Sequence, residues 1–430
     1  MPDVAYADFA QRVLDDGWLP DPWLDGAPRL DPQPVVLSPE RAERLCAAAE
    51  GVALACDALC QLLTIEPQLL EPLGLQPVQA ALWWSSAPAW HCLARADVFE
   101  TDDGGIQVCE INCDTPSGIA EAVVLGRLLD SLDGTDANRT FPARWVAMLR
   151  RIARSIGKDP IALTCGLISP TEQTEDLPML LLWRHWLEQA GWRVVEGSPF
   201  NLQAHPDGRA ALLGVPCDVV VRHYKTDWWA ERQTVWLDEQ PVLDAEPLRG
   251  PLQILLSAQL AGATAVVNPM GAIVPQNKRF LALLWQHRAR LGAVAQSAIE
   301  AFVPRTHLLE ELPIEQIHAE QALWVLKSDY GCEGDEVVVG AEVPPEVWAN
   351  AVRQAIPGRW IAQRYFSATR DENGAQLNIG VYLIGGDSAG LLARRSVAAT
   401  DRRARMATVR VSAPPADNER AQQSGGAHHG

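Results

Sequence analysis

Two short alternating runs, Arg95-Ala-Asp97-Val-Phe99 and Val108-Cys-Glu110-Ile-Asn112, flank the segment Thr101-Asp-Asp103-Gly104-Gly. Asp-Gly between alternating segments is a strong signal for a two-residue hairpin turn. Counting outward from Asp103-Gly104 predicts three cross-strand pairs: Arg95 with Asn112, Asp97 with Glu110, and Phe99 with Val108. Because side chains alternate along a strand, the four polar side chains are expected on one face of the hairpin.

This polar face has two interpretations. Asp97 opposite Glu110 would destabilise the sheet by charge repulsion unless a cation lies between the two carboxylates. Asn112 adds an amide oxygen, and a set of oxygen ligands suits a hard divalent ion, with Mg²⁺ as the default. The alternative is an ordinary solvated strand face, and the spacing alone does not separate the two.

The composition narrows the class of protein. The chain has 430 residues, is 48% hydrophobic and carries a net charge of −18, with 36 basic and 54 acidic residues. Such acidity argues against a nucleic-acid surface and against binding to anionic lipid. The nine cysteines lie mostly in apolar runs without CxxC spacing, which predicts reduced thiols and a cytoplasmic location. We find no signal peptide and no run as long as a membrane span.

The chain divides into five predicted regions. Residues 1–38 are rich in Pro, Asp and Trp and are expected to form an irregular N-terminal arm. Residues 39–150 hold the helical region, whose first helix is capped by Ser38 with Pro39 at its first position, and the metal-binding hairpin. Strand–helix–strand alternation from Pro160 to Tyr224 predicts a small parallel α/β unit, which we assign to a domain over 151–275. Residues 276–412 form the fourth region, which switches to β-rich alternation from Leu323, and 413–430 form a polar tail that we expect to be disordered.

Two further segments are candidate ligand contacts. A helix predicted over Ile119–Leu132 follows the hairpin, and its N-terminus would attract an anion beside the proposed cation; plain capping is the alternative. The run from Arg222 to Lys225 follows a buried strand, where α/β proteins bind ligands. A solvated loop is the alternative there.

A second polar constellation lies near the C-terminus. Lys327 ends an apolar strand and precedes a loop that contains Gly331 and Gly334, whose backbone N–H groups could approach phosphate closely. Lys278, Arg394 and Arg395 could add positive charge. Metal site, glycine loop and basic side chains together favour phosphoryl transfer from a nucleotide. A cysteine nucleophile at Cys332 is a weaker alternative.

These residues resemble the motifs of glutathionylspermidine synthase-type ATP-grasp ligases. The metal motif is similar to Arg95-x-Asp97 with Glu110-x-Asn112-x-Asp114-Thr-Pro. Four further matches follow in order: Arg222-x-Tyr224 with Asp227-Trp228, Asn277-Lys278, Lys327 with Tyr330-Gly331-x-Glu333-Gly334, and Gln363 with Arg394. The resemblance implies an α/β (α+β) ATP-grasp-like fold with a pre-ATP-grasp domain over 151–275. It also implies the family's reversed motif order, in which the metal hairpin precedes the nucleotide flap.

The resemblance also implies roles for the site residues. Asp97, Glu110 and Asn112 would hold Mg²⁺ and the nucleotide phosphates. Arg95 would stabilise an acyl phosphate, and Arg394 would contact the transferred phosphate. Lys278, Lys327, Gly331 and Gly334 would bind the phosphates of ATP, and Gln363 would bind the adenine edge. The chain has no room for the amidase domain of bifunctional members, and glutathione and spermidine are not implied as substrates.

The predicted function is ATP-dependent, ADP-forming ligation of a carboxylate to an amine through an acyl phosphate. The expected partners are small molecules, with peptides and polyamines among the candidates, and neither nucleic acid nor membrane. Two alternatives stay open: a non-catalytic nucleotide-binding or partner-binding scaffold, and a phosphotransferase that forms no amide.

Overall fold

The computed structural model describes residues 4–170, 175–226, 229, 248–331, 336–356, 358–397 and 403–413. The prediction of an irregular arm before Ser38 was wrong, because the arm begins with helix α1 (Val4–Asp16). Tyr6, Phe9 and Val13 recur at helical spacing and are buried. Short strands β1 (Trp23–Leu24), β2 (Ala27–Pro28) and β3 (Val35–Leu37) follow.

Helix α2 (Pro39–Ile65) confirms the predicted start, since the Ser38 hydroxyl accepts a hydrogen bond from the Arg41 backbone N–H. This helix is long and apolar enough to cross a membrane. The prediction that no apolar run is as long as a membrane span was therefore wrong. Core helices of globular domains satisfy the same criterion. Here α2 packs on the central sheet, and half of its most apolar stretch is buried inside the protein.

The central sheet carries the hairpin. Helix α3 (Pro77–Trp84) leads into β4 (Leu93–Glu100) and β5 (Ile106–Asn112), and then come α4 (Ile119–Leu128), β6 (Thr135–Asp136) and α5 (Phe141–Ser155). The hairpin forms one edge of a sheet whose other strands come mostly from the far end of the chain: β18 (Gln376–Ile384), β19 (Asp387–Ser396) and β20 (Arg405–Val411). The strand order is β3-β20-β19-β18-β4-β5, with β6 also paired to β20.

The predicted parallel unit is present. It begins with β7 (Thr164–Ile168), α6 (Leu177–Gln189) and β8 (Arg193–Gly197). A small antiparallel sheet that we did not predict follows: β9 (Leu202–Ala204), β10 (Ala210–Leu212) and β11 (Val215–Pro216). Strand β12 (Val219–Arg222), helix α7 (Arg249–Leu260) and strand β13 (Ala265–Val267) complete the unit, with parallel order β13-β12-β7-β8.

The remaining elements form a smaller lobe and its connection. The connecting helices are α8 (Ile273–Gln276), α9 (Arg279–His287) and α10 (Ala293–Phe302). The lobe has strands β14 (Thr306–Leu308), β15 (Trp324–Ser328), β16 (Val337–Val339) and β17 (Trp360–Arg364), with helices α11 (Ile314–Ala319) and α12 (Pro345–Ala355). This four-stranded antiparallel sheet has its own small apolar core around Trp324 and Trp348.

Candidate active site

The hairpin register confirms two of the three predicted pairs. Arg95 lies opposite Asn112 and Asp97 opposite Glu110, but Phe99 pairs with Gln107 instead of Val108. The turn is displaced by one residue, because the Gly104 N–H donates to the Thr101 carbonyl and Gly104 has a positive φ of 81°. An extra residue in β5, at Cys109, forms a bulge that restores the predicted pairing beyond it.

Asp97 lies at the centre of the polar face. The Arg95 Nε donates to Asp97 Oδ1 at 2.8 Å, and the Arg394 Nη2 donates to Asp97 Oδ2 at 2.5 Å. Asp97 is only 2% exposed. Burial alone would raise its pKa, but the nearby charges of Arg394 and Arg95 outweigh burial and hold the pKa of Asp97 well below its usual range. Asp97 therefore remains a carboxylate inside the protein.

Arg95 is fixed over a glycine on the neighbouring strand. Gly380 pairs with Asp97, and a Cβ at position 380 would lie 2.8 Å from the Arg95 Cδ. The Arg95 Nη1 donates to the Ser117 carbonyl at 3.1 Å, just before helix α4. The Tyr382 hydroxyl donates to the same carbonyl at 2.9 Å. Arg95 thus connects the hairpin to the start of the helix that we expected to attract an anion.

The proposed metal ligands converge. The Asn112 amide nitrogen lies 3.2 Å from Glu110 Oε1 and 3.5 Å from Asp97 Oδ2. A 180° rotation of that amide would present its oxygen beside both carboxylates, giving three oxygen donors of the kind that Mg²⁺ prefers. No group of three or more His, Cys, Asp or Glu side chains suited to a metal occurs in the described part of the chain. The Asp–Glu–Asn set, with its amide ligand, fits a hard cation.

The nucleotide-binding candidates of the small lobe contact the hairpin bulge. The Lys327 Nζ donates to Gln363 Oε1 at 2.8 Å and to the Cys109 carbonyl at 3.5 Å. The Gln363 amide nitrogen donates to the same carbonyl at 3.4 Å. Burial raises the pKa of the Cys109 thiol to about 12, so this thiol is protonated at neutral pH. The bulge therefore supplies a backbone acceptor that brings Lys327 and Gln363 together.

Lys278 connects the same two parts of the molecule from another side. Its Nζ donates to the Gly331 carbonyl and lies 3.7 Å from Glu110 Oε2. Lys278 is buried, so its ammonium group is held next to the proposed metal ligand. Gly334 and Cys332, together with Glu333, lie outside the described residues.

The candidate site residues converge on one cavity of about 510 Å³. Nine of the ten predicted site residues contribute to its wall: Arg95, Asp97, Glu110, Asn112, Lys278, Lys327, Gly331, Gln363 and Arg394. Arg395 instead bonds Asp31 at 2.6 Å. The volume is in the range of small-molecule and cofactor sites. The structure therefore brings the metal candidates and the nucleotide candidates into a single site.

The segment Arg222–Lys225 does not match the ligand contact that we predicted from the sequence. Arg222 is buried, and its Nη2 lies 2.6 Å from Asp114 Oδ1, directly after the hairpin. Its other N–H groups donate to backbone carbonyls, including that of Asn268. His223 lies 2.7 Å from Asp176, and Asp176 does line the cavity. Arg222 is thus a structural residue, because the carboxyl end of β12 meets the end of the hairpin and not open solvent.

Sequence reasoning missed some of the cavity wall. Asn378 and Gln376 on β18 line the cavity, as do Asp21 and Arg29 of the N-terminal segment. Gln376 and Asn378 alternate with apolar residues in a buried strand, and this alternation is a weak sequence indication of a polar strand face. The sequence pattern around Asp21 and Arg29 does not indicate that they reach the site, because only the packing of the N-terminal segment brings them there.

The fold is that of an ATP-grasp protein, in which the cavity lies between a central sheet and a smaller antiparallel lobe. A model of the family described as glutathionylspermidine synthase preATP-grasp matches residues 25–412, and the chain belongs to that family. Pro20, Asp21 and Leu24 thus line the cavity from outside the matched residues. No curated protein sequence matches the chain.

Solved structures are similar in fold. A glutathione synthetase-like effector, GSS30, from Globodera pallida is 12% identical, with a TM-score of 0.56 over 94% of this chain and 96% of that chain. A candidate gamma-glutamylcysteine synthetase from Methylobacillus flagellatus is 14% identical, with a TM-score of 0.44 over 82% of this chain and 84% of that chain. The likeness to the Globodera pallida protein concerns the fold.

Proposed function

We propose that the protein is an ATP-dependent, ADP-forming carboxylate–amine ligase. The observation that carries this proposal is the single cavity in which Lys327, Gln363 and Lys278 meet the Asp97–Glu110–Asn112 set. Membership of the glutathionylspermidine synthase preATP-grasp family supports it. The expected substrates are a small carboxylic acid and a small amine.

The reaction would proceed in two steps. A carboxylate oxygen attacks the terminal phosphorus of ATP, so that the bond to ADP breaks and an acyl phosphate forms. The amine then attacks the acyl carbon, phosphate leaves and the amine nitrogen loses a proton. Arg95 and Arg394, both anchored on Asp97, place two positive charges where negative charge develops.

The other residues would bind and neutralise the nucleotide. Lys327 and Gln363 are suited to its phosphates and its adenine edge, and Lys278 adds a buried ammonium group near Glu110. Asp97, Glu110 and Asn112 would hold Mg²⁺, which when bound would shield phosphate charge. The side chains thus mainly supply positioning and charge.

The test is ADP release from ATP with Mg²⁺ and a panel of carboxylate and amine pairs, followed by mass spectrometry of the product. We expect ADP formation to require both substrates and to yield an amide. If ATP binds but no pair releases ADP, the scaffold alternative replaces the ligase. A stable phosphorylated product without amide would establish the phosphotransferase instead.

The metal assignment has its own variant. We expect Glu110→Gln to lower Mg²⁺-dependent ADP release by about a hundredfold, because one charged oxygen ligand is lost. The fold should be retained, since the Glu110 side chain is 26% exposed. Glu300→Gln, which changes an exposed carboxylate paired with Arg288, is the matched control. Full turnover in Glu110→Gln would contradict the metal assignment.

We also propose a cytoplasmic location. The eight cysteines within the described residues are free, as expected of a reducing compartment. Fractionation of the source cells would test the location, and recovery with an extracellular or membrane fraction would contradict it.

A further inference from the structure

Two buried polar atoms in the cavity wall have no hydrogen-bond partner among the described residues. They are Asn378 Oδ1 and Arg394 Nε. The other unpartnered buried side-chain atoms of the described residues belong to side chains that do not line this cavity. Buried polar groups are nearly always paired, so an unpaired group in a cavity wall points to a ligand.

The two side chains are neighbours. Asn378 on β18 lies directly opposite Arg394 on β19, so their side chains share one face of the sheet. Gly380, two residues along β18, pairs with Asp97 on the same face. The Arg394 Nη2 is already bonded to Asp97 Oδ2, whereas its Nε–H has no hydrogen-bond partner among the described residues. Asn378 is 2% exposed, so its side chain is enclosed by the protein.

The hydrogen-bonding groups of Asn378 and Arg394 determine which kind of ligand can bind them. The Arg394 Nε–H can only donate, and an amide can donate once it is rotated to present its nitrogen. A partner with several acceptor oxygens and negative charge satisfies both groups, whereas a cation would face the Arg394 guanidinium. A phosphoryl group has three such oxygens, and a carboxylate has two. The proximity of the proposed metal ligands at Asp97 favours the phosphoryl group.

We propose that Asn378 is a further catalytic residue, which donates an amide N–H to the phosphoryl group transferred from ATP while Arg394 binds the same group. This inference rests on the proposed nucleotide function. It assigns to β18 a contact that none of the motif residues supplies.

The experiment compares ADP with the non-hydrolysable β,γ-imido analogue of ATP by titration calorimetry, in the presence of Mg²⁺ and without carboxylate or amine. We expect Asn378→Ala to weaken binding of the analogue by about tenfold or more, because a hydrogen bond to a charged group is lost. Binding of ADP should be unchanged. Asn378→Asp keeps the shape but replaces the donor by a negative charge, so its loss for the analogue should be larger.

Asn350→Ala is the matched control, because Asn350 lies on α12, away from the cavity wall. Thermal unfolding confirms that each variant is folded. Equal affinity of wild type and both Asn378 variants for the analogue would overturn the proposal, and so would tighter Mg²⁺ binding by Asn378→Asp, since that result indicates a metal ligand.

Failure of the Asn378 proposal can be distinguished from failure of the ligase proposal. A wild-type protein that binds the analogue but never releases ADP would overturn the ligase, and weaker analogue binding by Asn378→Ala would then still show the contact with the terminal phosphoryl group. A wild-type protein that binds neither nucleotide would overturn both.

Discussion

Asp97 accepts hydrogen bonds from two arginines that come from different strands. Arg95 is two residues away on β4, whereas Arg394 arrives from β19 through a buried contact. Removing Asp97 would leave two guanidinium groups close together with little solvent to screen them. The carboxylate therefore sets the positions of both groups that we expect to stabilise the transferred phosphate.

This arrangement predicts that Asp97→Asn lowers the free energy of unfolding by an amount that depends on pH. We expect the variant to lower the free energy of unfolding by about 3 kcal/mol at pH 7, because a buried charge partner is removed. The pKa of Asp97 is lowered by folding, so its contribution is full above its unfolded pKa of about 4 and is lost as the pH falls further. Urea unfolding between pH 7 and pH 3, with a chelator present, measures the difference.

The control for this prediction is Asp130→Asn, because Asp130 is 76% exposed and lies 3.5 Å from Arg410. A difference between wild type and Asp97→Asn that stays constant down to pH 3 would contradict the assigned protonation state.

The hairpin shows which part of an element can be predicted from its sequence. The pairs Asp97–Glu110 and Arg95–Asn112 were predicted correctly, although the turn lies one residue earlier than expected. The bulge at Cys109 offsets that displacement. Alternation predicted which polar residues share a face, but nothing in the sequence marks the bulge, whose carbonyl contacts Lys327 and Gln363 only in the folded protein.

The cavity face of β18 gives a prediction at the level of the strand. Gly380→Ala would place a methyl group 2.8 Å from Arg95 Cδ and 3.2 Å from Arg95 Cγ, so the arginine must move. We expect turnover to fall by about a hundredfold, because small displacements of positioning groups are costly. The unfolding midpoint should change much less. Steady-state kinetics and thermal unfolding of the same preparation measure both effects.

Gly250→Ala is the matched control, because a Cβ at position 250 would meet no atom within 4 Å. Wild-type turnover in Gly380→Ala would show that Arg95 does not need its observed position.

For the whole molecule, a cluster of buried hydrogen bonds joins the parallel unit to the hairpin. Arg222 at the end of β12 pairs with Asp114, and Thr226 donates to both oxygens of Asp114. Asn268, after β13, donates to the carbonyls of Cys113 and Asp114. The end of the parallel sheet thereby fixes the chain where it leaves the hairpin.

We therefore expect Arg222→Met to lower the free energy of unfolding by about 3 kcal/mol, since Asp114 would stay buried without its charged partner. Urea unfolding measures the change. Arg184→Met, which removes an exposed ion pair with Glu188, should leave the unfolding midpoint unchanged. A stable Arg222→Met variant would show that the Asp114–Arg222 pair does not hold the two parts together.

At the scale of the molecule, the order of the motifs predicted the ATP-grasp fold and its reversed arrangement, because each motif carries chemistry that restricts its residues. The N-terminal segment carries no such chemistry. Its helix α1 and the approach of Asp21 and Arg29 to the cavity depend on packing across distant parts of the chain. The five domain boundaries remain predictions.

The separate core of the small lobe has a consequence for dynamics. Only a few large side chains, among them Trp324 and Trp348, hold this lobe together, whereas the central sheet is buried between much larger clusters. A small independent core opens at a lower free energy than the rest of the protein. Amide protons of β15 and β17 will therefore exchange with solvent before those of β4 and β18. A nucleotide bound to Lys327 and Gln363 would slow that exchange selectively.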